Sequence, residues 1–414
     1  MATFSVRFLG CKVSQADAML IRDALTDAGH VETTREAADV HVVNTCALTL
    51  ESERKSRQQV NRAARVGRTF VTGCAANLNA GQFGEAVTVV GRSADRAAVE
   101  IVETLGGATT AFACHDDDRP QGRTRAFLKV QNGCDQHCTF CIIPRTRGVA
   151  ESRDLDVILR DARRRIAEGH PELVLTGINI GTWRGDDGTD LADLVRHIGA
   201  LDGLRRLRVS SIEPGDVTER FVAALAETDT VAHHLHIPLQ SGDPGVLRSM
   251  GRSYTRDEYI RAIGWAREAL PTVNITTDVI IGFPTEDGAA FDATHSLCEE
   301  MAFGKIHVFP FSPRPGTVAA DLGDRVDPAE KARRSQALRD LSDRLGFGRR
   351  ASRAGETDAV LVERRLEDGT LTGYGSDYCR FVLDGDDFDA RPGDMVPVGV
   401  AGMVGEHLKG VPIR

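Results

Sequence analysis

Cys134, Cys138 and Cys141 stand in the stretch GCDQHCTFCIIP, residues 133–144, with C-x3-C-x2-C spacing. Thiols this close on one loop suit metal or cluster ligation, yet closed zinc sites and iron–sulfur clusters usually take four protein ligands. Three thiolates can ligate three irons of a 4Fe-4S cube and leave the fourth iron free for a small molecule. A second set, Cys11, Cys46 and Cys74, occurs in LGC, NTC and TGC, far apart in the chain. A single cysteine is most often a buried small hydrophobe. Three at equivalent places, each just past an apolar run, argue instead that they meet in space.

The elements that would bring them together are legible around them. The runs SVRFL, VHVVNTC and RTFVTGC alternate with an amphipathic run from Ala16 to Ala28 and a charged helix from Leu50 to Arg65. This alternation predicts a doubly wound parallel α/β sheet, and the carboxyl ends of its strands form the usual ligand crevice. Gly106 to Arg123 is polar and Gly-rich and reads as a linker. After it, AFLKVQ, ELVLTG, LRVSS, HLHIP, NITTDVIIG and KIHVFPF alternate with helical stretches Asp154–Glu168, Asp190–Leu201, Val217–Ala226, Arg256–Ala269 and Glu286–Met301. Six βα units predict an open, partial (βα)6 barrel whose first loop carries the cysteine triplet, at the carboxyl mouth where barrel chemistry sits. From Ala351 onward, short β-like runs punctuated by Gly and Asp predict a small β-barrel. The expected domains are 1–110, 123–350 and 351–414.

Composition narrows the class. The chain has 414 residues with 41% hydrophobic content, enough for two or three domains, and no apolar run nears the about 18 residues that span a bilayer. No membrane association and a cytoplasmic location are expected, because the opening MATFSVRFLGCKVSQAD reads as a strand and not a signal peptide. Nine cysteines, an odd number, fit poorly with a disulfide framework. A net charge of -9 argues against a general DNA coater, and the arginine clusters 163–165, 205–208 and 349–353 read as solvated helix faces.

Taken in order, GCKVSQAD, NTCALTLESERKSRQ, VTGC, RAFLKVQNGCDQHCTFCIIPRTRG, LTGINIG, RVSSIEP, HLHIPLQSGD, TTDVIIGFPTE and HVFPFSPRPGT resemble the radical S-adenosylmethionine methylthiotransferase family across nearly the whole chain. The resemblance implies two 4Fe-4S clusters, one on Cys134, Cys138 and Cys141 and an auxiliary one on Cys11, Cys46 and Cys74. It also implies S-adenosylmethionine, cleaved by one electron to a 5'-deoxyadenosyl radical. Such a route is chemically apt, since an aromatic adenine C–H is too weakly acidic for His or Glu to deprotonate. Implied cofactor contacts are Phe140 and Ile281 at the adenine, Gly177 and Asn179 at the methionine moiety, and Glu213 and Gln240 at ribose or methionine groups. Glu213 reads equally well as a helix cap or a surface carboxylate. His234 and His236 share a strand face and read as barrel lining. Cys114, Cys298 and Cys379 match no family motif and read as structural.

The C-terminal portion resembles the family's RNA-binding TRAM domain, with Tyr374 and Tyr378 where family aromatics stand beside Arg364, Arg365 and Arg380. Stacking on an unpaired RNA loop or packing of the β-barrel would each account for the tyrosines. GCKV, and NTC followed by KSRQ, resemble the tRNA N6-threonylcarbamoyladenosine branch, although Ser14 and Asp17 replace its usual Asn and Glu, and Arg145 replaces an aromatic. Arg145 and Arg147 are then candidate substrate contacts through their forked donors. The implied partners are the tRNA anticodon loop, an electron donor such as flavodoxin or ferredoxin, and a sulfur source. Alternative targets are N6-isopentenyladenosine in tRNA or a ribosomal-protein aspartate. A noncatalytic, metal-containing RNA-binding scaffold is the reading from another class.

Overall fold

The computed structural model describes residues 1–106 and 124–413. The expected linker and Cys114 therefore lie almost wholly outside the described residues.

The first sheet is parallel and ordered β2-β1-β3-β4-β5, with β1 at Thr3–Phe8, β2 at Val31–Glu32, β3 at Val40–Thr45, β4 at Arg68–Gly73 and β5 at Thr88–Val89. Helices cover both faces. Lys12–Asp27 and Ala94–Thr104 build one core around Phe4, Ile21, Phe70 and Ile101, while Leu50–Ala63 and Cys74–Leu78 build the other around Val43, Val60 and Val71. This is the doubly wound arrangement. The first helix begins at Lys12, ahead of the expected Ala16, because Cys11 stands in extended backbone as its N-cap. Its polar first-turn residues Lys12 and Ser14 hid the start. The second helix opens on a reciprocal capping pair between Thr49 and Ser52.

The central strands are β6 (Arg125–Lys129), β9 (Glu172–Thr176), β10 (Arg206–Val209), β11 (His234–His236), β12 (Asn274–Ile281) and β13 (Lys305–Pro310). The short antiparallel pair β7 (Gln131–Asn132) and β8 (Glu151–Ser152) brackets the cysteine loop. Two parallel sheets, β6-β9-β10 and β11-β12-β13, are joined by single parallel bridges Leu207–Val231 and Ser211–His236. The result is an open six-stranded half-barrel. Residues such as Leu128, Leu173, Leu207, Leu235 and Ile281 pack outward into the helical layer. By strand alternation Arg125, Glu172, Arg206, His234 and Asp278 therefore face inward.

The expected helices appear within a few residues of their predicted ends, each started by a side-chain cap from Asp154, Asp190, Thr218, Thr255 or Asp287. Not foreseen was the 25-residue helix Pro328–Ser352, which packs against β13 and the C-terminal strands. Its buried face carries Lys331, Arg334, Ser335 and Ser342 beside Leu338 and Leu341, so no apolar stripe announces it. Then β14 (Thr357–Arg365), β15 (Leu371–Tyr374), β16 (Arg380–Leu383), β17 (Met395–Val404) and β18 (His407–Pro412) close into a barrel ordered β14-β15-β16-β18-β17.

The arginine clusters are solvated only in part: Arg163 and Arg205 are exposed, but their neighbours are bound within the chain. Arg164 donates to Asp27 at 2.8 Å and Arg165 pairs with Asp23, tying the half-barrel to the first helix. Arg206 and Arg208 are buried, share Glu172, and donate to the carbonyls of Ala359, Tyr374, Gly375 and Ser376. Arg353 bonds Asp358 and Asp377 at 3.0 Å each, and Arg349 donates to the carbonyl of Thr272. Forked guanidinium donors can satisfy carboxylates and carbonyls together, which suits them to contacts between units. Among the described residues no helix is long and apolar enough to cross a membrane.

Candidate functional site

Cys11, Cys46 and Cys74 follow β1, β3 and β4, three neighbouring strands, and converge at their carboxyl ends. Gly10 makes the convergence possible: its φ is +117°, and a Cβ there would stand 2.9 Å from Ser14 Oγ and 3.0 Å from Cys46 Sγ. Cys46 Sγ accepts the Leu48 N–H at 3.5 Å, and Cys74 Sγ accepts Arg147 Nε at 3.2 Å. Burial pushes the Cys74 thiol up; Arg147 opposes this, and the neighbouring Cys11 and Cys46 add to it.

The loop triplet sits between β7 and β8. Gly133, at φ +69°, admits the returning chain, since a Cβ there would meet the Val149 carbonyl at 1.8 Å. Cys134 Sγ accepts the Gln136 N–H at 3.4 Å, and Cys138 Sγ accepts Arg252 Nη1 at 3.0 Å. Burial raises all three thiols, Cys141 to about 11. Three sulfurs per set, nearly each with an N–H donor, make a donor set suited to cluster thiolates with one position left open.

The two sets are joined by Arg147 and Asn77. Arg147, at the end of the short helix Ile143–Arg147 that follows Cys141, donates to Cys74 Sγ and to Asn132 Oδ1 at 2.9 Å. Its third nitrogen lies 2.9 Å from Asp17. Asp17 also receives Lys129 Nζ at 2.6 Å. Burial alone would push the Asp17 carboxyl up, but Lys129 and Arg147 outweigh it and hold it below the usual carboxylate range. Asn77 on the helix after Cys74 donates to the carbonyl of Thr146 at 2.8 Å. Arg147 is therefore not free for a substrate phosphate or carboxylate, because every face of its guanidinium is filled from within.

The other predicted residues divide. Glu213 stands at the N-cap of the turn Pro214–Asp216, but its half-buried side chain makes no cap bond: it pairs with Arg252, which also reaches Cys138, and burial raises its carboxyl. Phe140 packs edge-on against Phe283 with ring centroids 6.5 Å apart. Asn179 is buried with both amide atoms unpartnered, an opening for a polar ligand beside the cysteine loop. Gln240 holds a φ of +63° and bridges to Val279. The Ile281 side chain is fully buried in the outer core and its carbonyl accepts the Phe311 N–H, while alternation puts Ile280 on the Phe140 side. Gly177 is approached by Ile180 and Gln131 and not by open space.

Arg145 donates to the Gly316 carbonyl at 3.0 Å. Tyr374 and Tyr378 stack with centroids 5.0 Å apart, and Tyr378 stacks on His234 at 5.1 Å. Arg125 lies over both rings and Arg208 over Tyr378. These faces are thus occupied by the half-barrel floor, which corrects the expectation that they offer stacking platforms to RNA. Arg365 is spent on the carbonyls of Gly369 and Ala390, whereas Arg364 is exposed. Cys298 and Cys379 are buried, as expected of structural thiols. Sequence reasoning missed Arg252, which sits outside any cysteine motif; only its contact with Cys138 reveals it.

Comparison with known proteins agrees with this geometry. Residues 3–91 match the uncharacterized protein family UPF0004, and residues 128–298 match the Radical SAM superfamily. The threonylcarbamoyladenosine tRNA methylthiotransferase MtaB of Bacillus subtilis is 35% identical over 93% of this chain and 91% of its own length. Its Thermotoga maritima counterpart is 32% identical over 92% and 91%. The tRNA-2-methylthio-N(6)-dimethylallyladenosine synthase of Streptomyces coelicolor is 32% identical over 98% of this chain and 86% of its own. In fold, the radical S-adenosylmethionine methyltransferase TsrM from Kitasatospora setae superposes with a TM-score of 0.59 at 14% identity, covering 77% of this chain and 75% of that one. With two abutting cysteine triplets, a half-barrel and relatives matched over nine-tenths of its length, the chain belongs to the radical S-adenosylmethionine methylthiotransferases.

Proposed function

We propose that this enzyme adds a methylthio group to N6-threonylcarbamoyladenosine next to the anticodon of tRNA. The observation that carries the reading is the Arg147 junction, which holds the loop triplet against the strand-end triplet through the Cys74 sulfur. In this reading Cys134, Cys138 and Cys141 hold one 4Fe-4S cluster, and Cys11, Cys46 and Cys74 hold the second. When bound, the clusters and S-adenosylmethionine supply one-electron hydrogen abstraction and the methylthio group.

The chain's own residues bind, orient and shield. Arg252 keeps Glu213 and Cys138 in fixed relation, Asn179 offers its unpartnered amide to the methionine end, and Phe140, with Gln240 and the backbone at Gly177, lines the adenosyl side. Units 1–110, 123–350 and 351–414 then act as sulfur-carrying, radical-forming and RNA-facing parts, with Arg145 and exposed Arg364 on the RNA side. A reductant such as flavodoxin or ferredoxin and a sulfur source complete the reaction in the cytoplasm.

The similarity to dimethylallyladenosine synthases favours one second reading, the isopentenyl nucleoside as substrate. Mass spectrometry of tRNA nucleosides from cells lacking the protein, and from cells with it restored, separates the two. Loss and return of the 2-methylthio form of N6-threonylcarbamoyladenosine is expected. Loss of the methylthio-isopentenyl form instead replaces the substrate and keeps the chemistry, and no change in either removes tRNA as the target.

A further inference from the structure

His236 closes β11, Asp278 stands within β12 and His307 within β13. The central strand pairs in parallel with both neighbours. Asp278 lies directly opposite His307, and Thr276, two residues back on the same face, lies opposite His236. Side chains two apart on a strand share a face, as do those facing each other across a ladder. His236, Asp278 and His307 therefore stand side by side on the inner wall of the half-barrel, and their ligand atoms lie within 4.8 Å of one another.

The three groups are arranged as metal ligands are. Thr276 Oγ1 lies 2.9 Å from His236 Nδ1 and 3.0 Å from His234 Nε2. This contact fixes the His236 ring and leaves its Nε2 facing Asp278 Oδ1, 3.2 Å away. A ligating imidazole ordinarily has its second nitrogen held in this way. Two atoms bound to one ion at about 2.1 Å stand about 3.0–3.4 Å apart at octahedral to tetrahedral angles, so the His236–Asp278 pair already has the spacing of a shared cation. A plain ion pair would account for those two residues but not for the third. Among the described residues the His307 side chain makes neither a hydrogen bond nor an ion pair. Its ring lies beside that of His236, with centroids 5.6 Å apart, and its exposure leaves it free to turn towards the other two.

The charges nearby permit a cation. Arg206 and Arg208 share Glu172, and Arg125 has Glu363 at 2.7 Å, so these inward guanidinium groups are matched by carboxylates other than Asp278. Two imidazoles and one carboxylate suit divalent first-row transition ions, whereas Ca2+ and Mg2+ favour oxygen ligands alone.

We propose that His236, Asp278 and His307 bind one divalent transition-metal ion on the inner wall of the half-barrel, with Thr276 as the positioning residue of His236 and the open coordination positions turned to the chamber. No cysteine takes part, so the ion is separate from both clusters of the functional reading, and its binding does not depend on which nucleoside is modified.

The test offers Mn2+ and Zn2+ themselves to the full-length, cluster-loaded enzyme in equilibrium dialysis, with bound metal and iron counted per chain by elemental mass spectrometry. Loaded clusters keep their cysteines from the added ion. Wild type is expected to retain one ion per chain of at least one of the two metals. Asp278→Asn and His307→Ala each weaken that binding by about 100-fold, and Thr276→Val by about 10-fold, as for residues that orient metal ligands. His197→Ala, which removes an exposed histidine on the helix Leu191–Gly199, leaves it unchanged. Because His307 is exposed and free of hydrogen bonds, its replacement probes the site without disturbing the core, and unchanged iron content confirms that each variant is folded and loaded. Retention of neither metal by wild type, or the same affinity in wild type, Asp278→Asn and His307→Ala, overturns the site and leaves His236 and Asp278 as an ordinary ion pair.

Discussion

The two cysteine triplets reach similar ends by opposite means. Cys134, Cys138 and Cys141 come from one loop, whose shape is set by local turns and by Gly133, so their spacing alone carries the site. Cys11, Cys46 and Cys74 come from three strand ends and exist as a set only when β1, β3 and β4 pair in register. A local site tolerates strain elsewhere in the molecule. An assembled one reports on the whole sheet, and it is this second, fold-dependent site that Arg147 ties back to the loop.

The sharpest way to break the comparison is to remove one sulfur from each set. Cys138→Ala is expected to abolish S-adenosylmethionine cleavage, measured as 5'-deoxyadenosine formed by the reduced, reconstituted enzyme. Cys46→Ala is expected to keep cleavage and to lose methylthio transfer. Equal loss of cleavage in both would erase the division of labour.

A finer cut addresses the two arginines that donate to sulfur. Arg147→Met should weaken iron retention at the strand-end site, and Arg252→Met at the loop site, each by about 10–100-fold, as for other residues that orient metal ligands. Iron per chain after gel filtration, in proteins carrying only one intact triplet, reads this directly. A crosswise result would show that the donors act through the fold and not through the sulfur they touch.

The smallest expected effect is on pH dependence. Asp17 is held below its usual 3.8 in the folded state, so its contribution to stability is complete above that pH and is lost as pH falls through the depressed value. Thermal melting of Asp17→Asn should therefore lack the acid-side decline contributed by this group, at the cost of lower stability near neutrality. Parallel acid limbs in the two proteins would mean that the Lys129 and Arg147 pairs add no net stabilisation.

Much of this was legible in the residues. Strand ends, capped helices and a loop after the first barrel strand follow from periodicity and turn chemistry, and the cysteines read at those places are the ones the structure gathers into two triplets. What stayed hidden was governed by pairing across units. Arg164, Arg165, Arg206 and Arg208 look like surface charge in one dimension, because their partners Asp27, Asp23 and Glu172 lie elsewhere in the chain and no period links them. The helix Pro328–Ser352 buries polar side chains and so lacks an apolar stripe. Which of Ile280 and Ile281 turns to the Phe140 side is set by a single step of strand alternation. Asp17, which departs from the usual residue of its branch, proved to be an internal counter-ion.

The first helix belongs to two units at once. Its apolar face, with Ile21 and Leu25, is committed to the N-terminal sheet, while Asp17, Asp23 and Asp27 are committed to Lys129, Arg165 and Arg164 of the half-barrel. For protein engineering this sets a rule of transplantation. A hybrid that joins the N-terminal sheet of one relative to the half-barrel of another must exchange these three acidic positions together with their basic partners, or the graft will leave buried carboxylates without counter-ions along the seam.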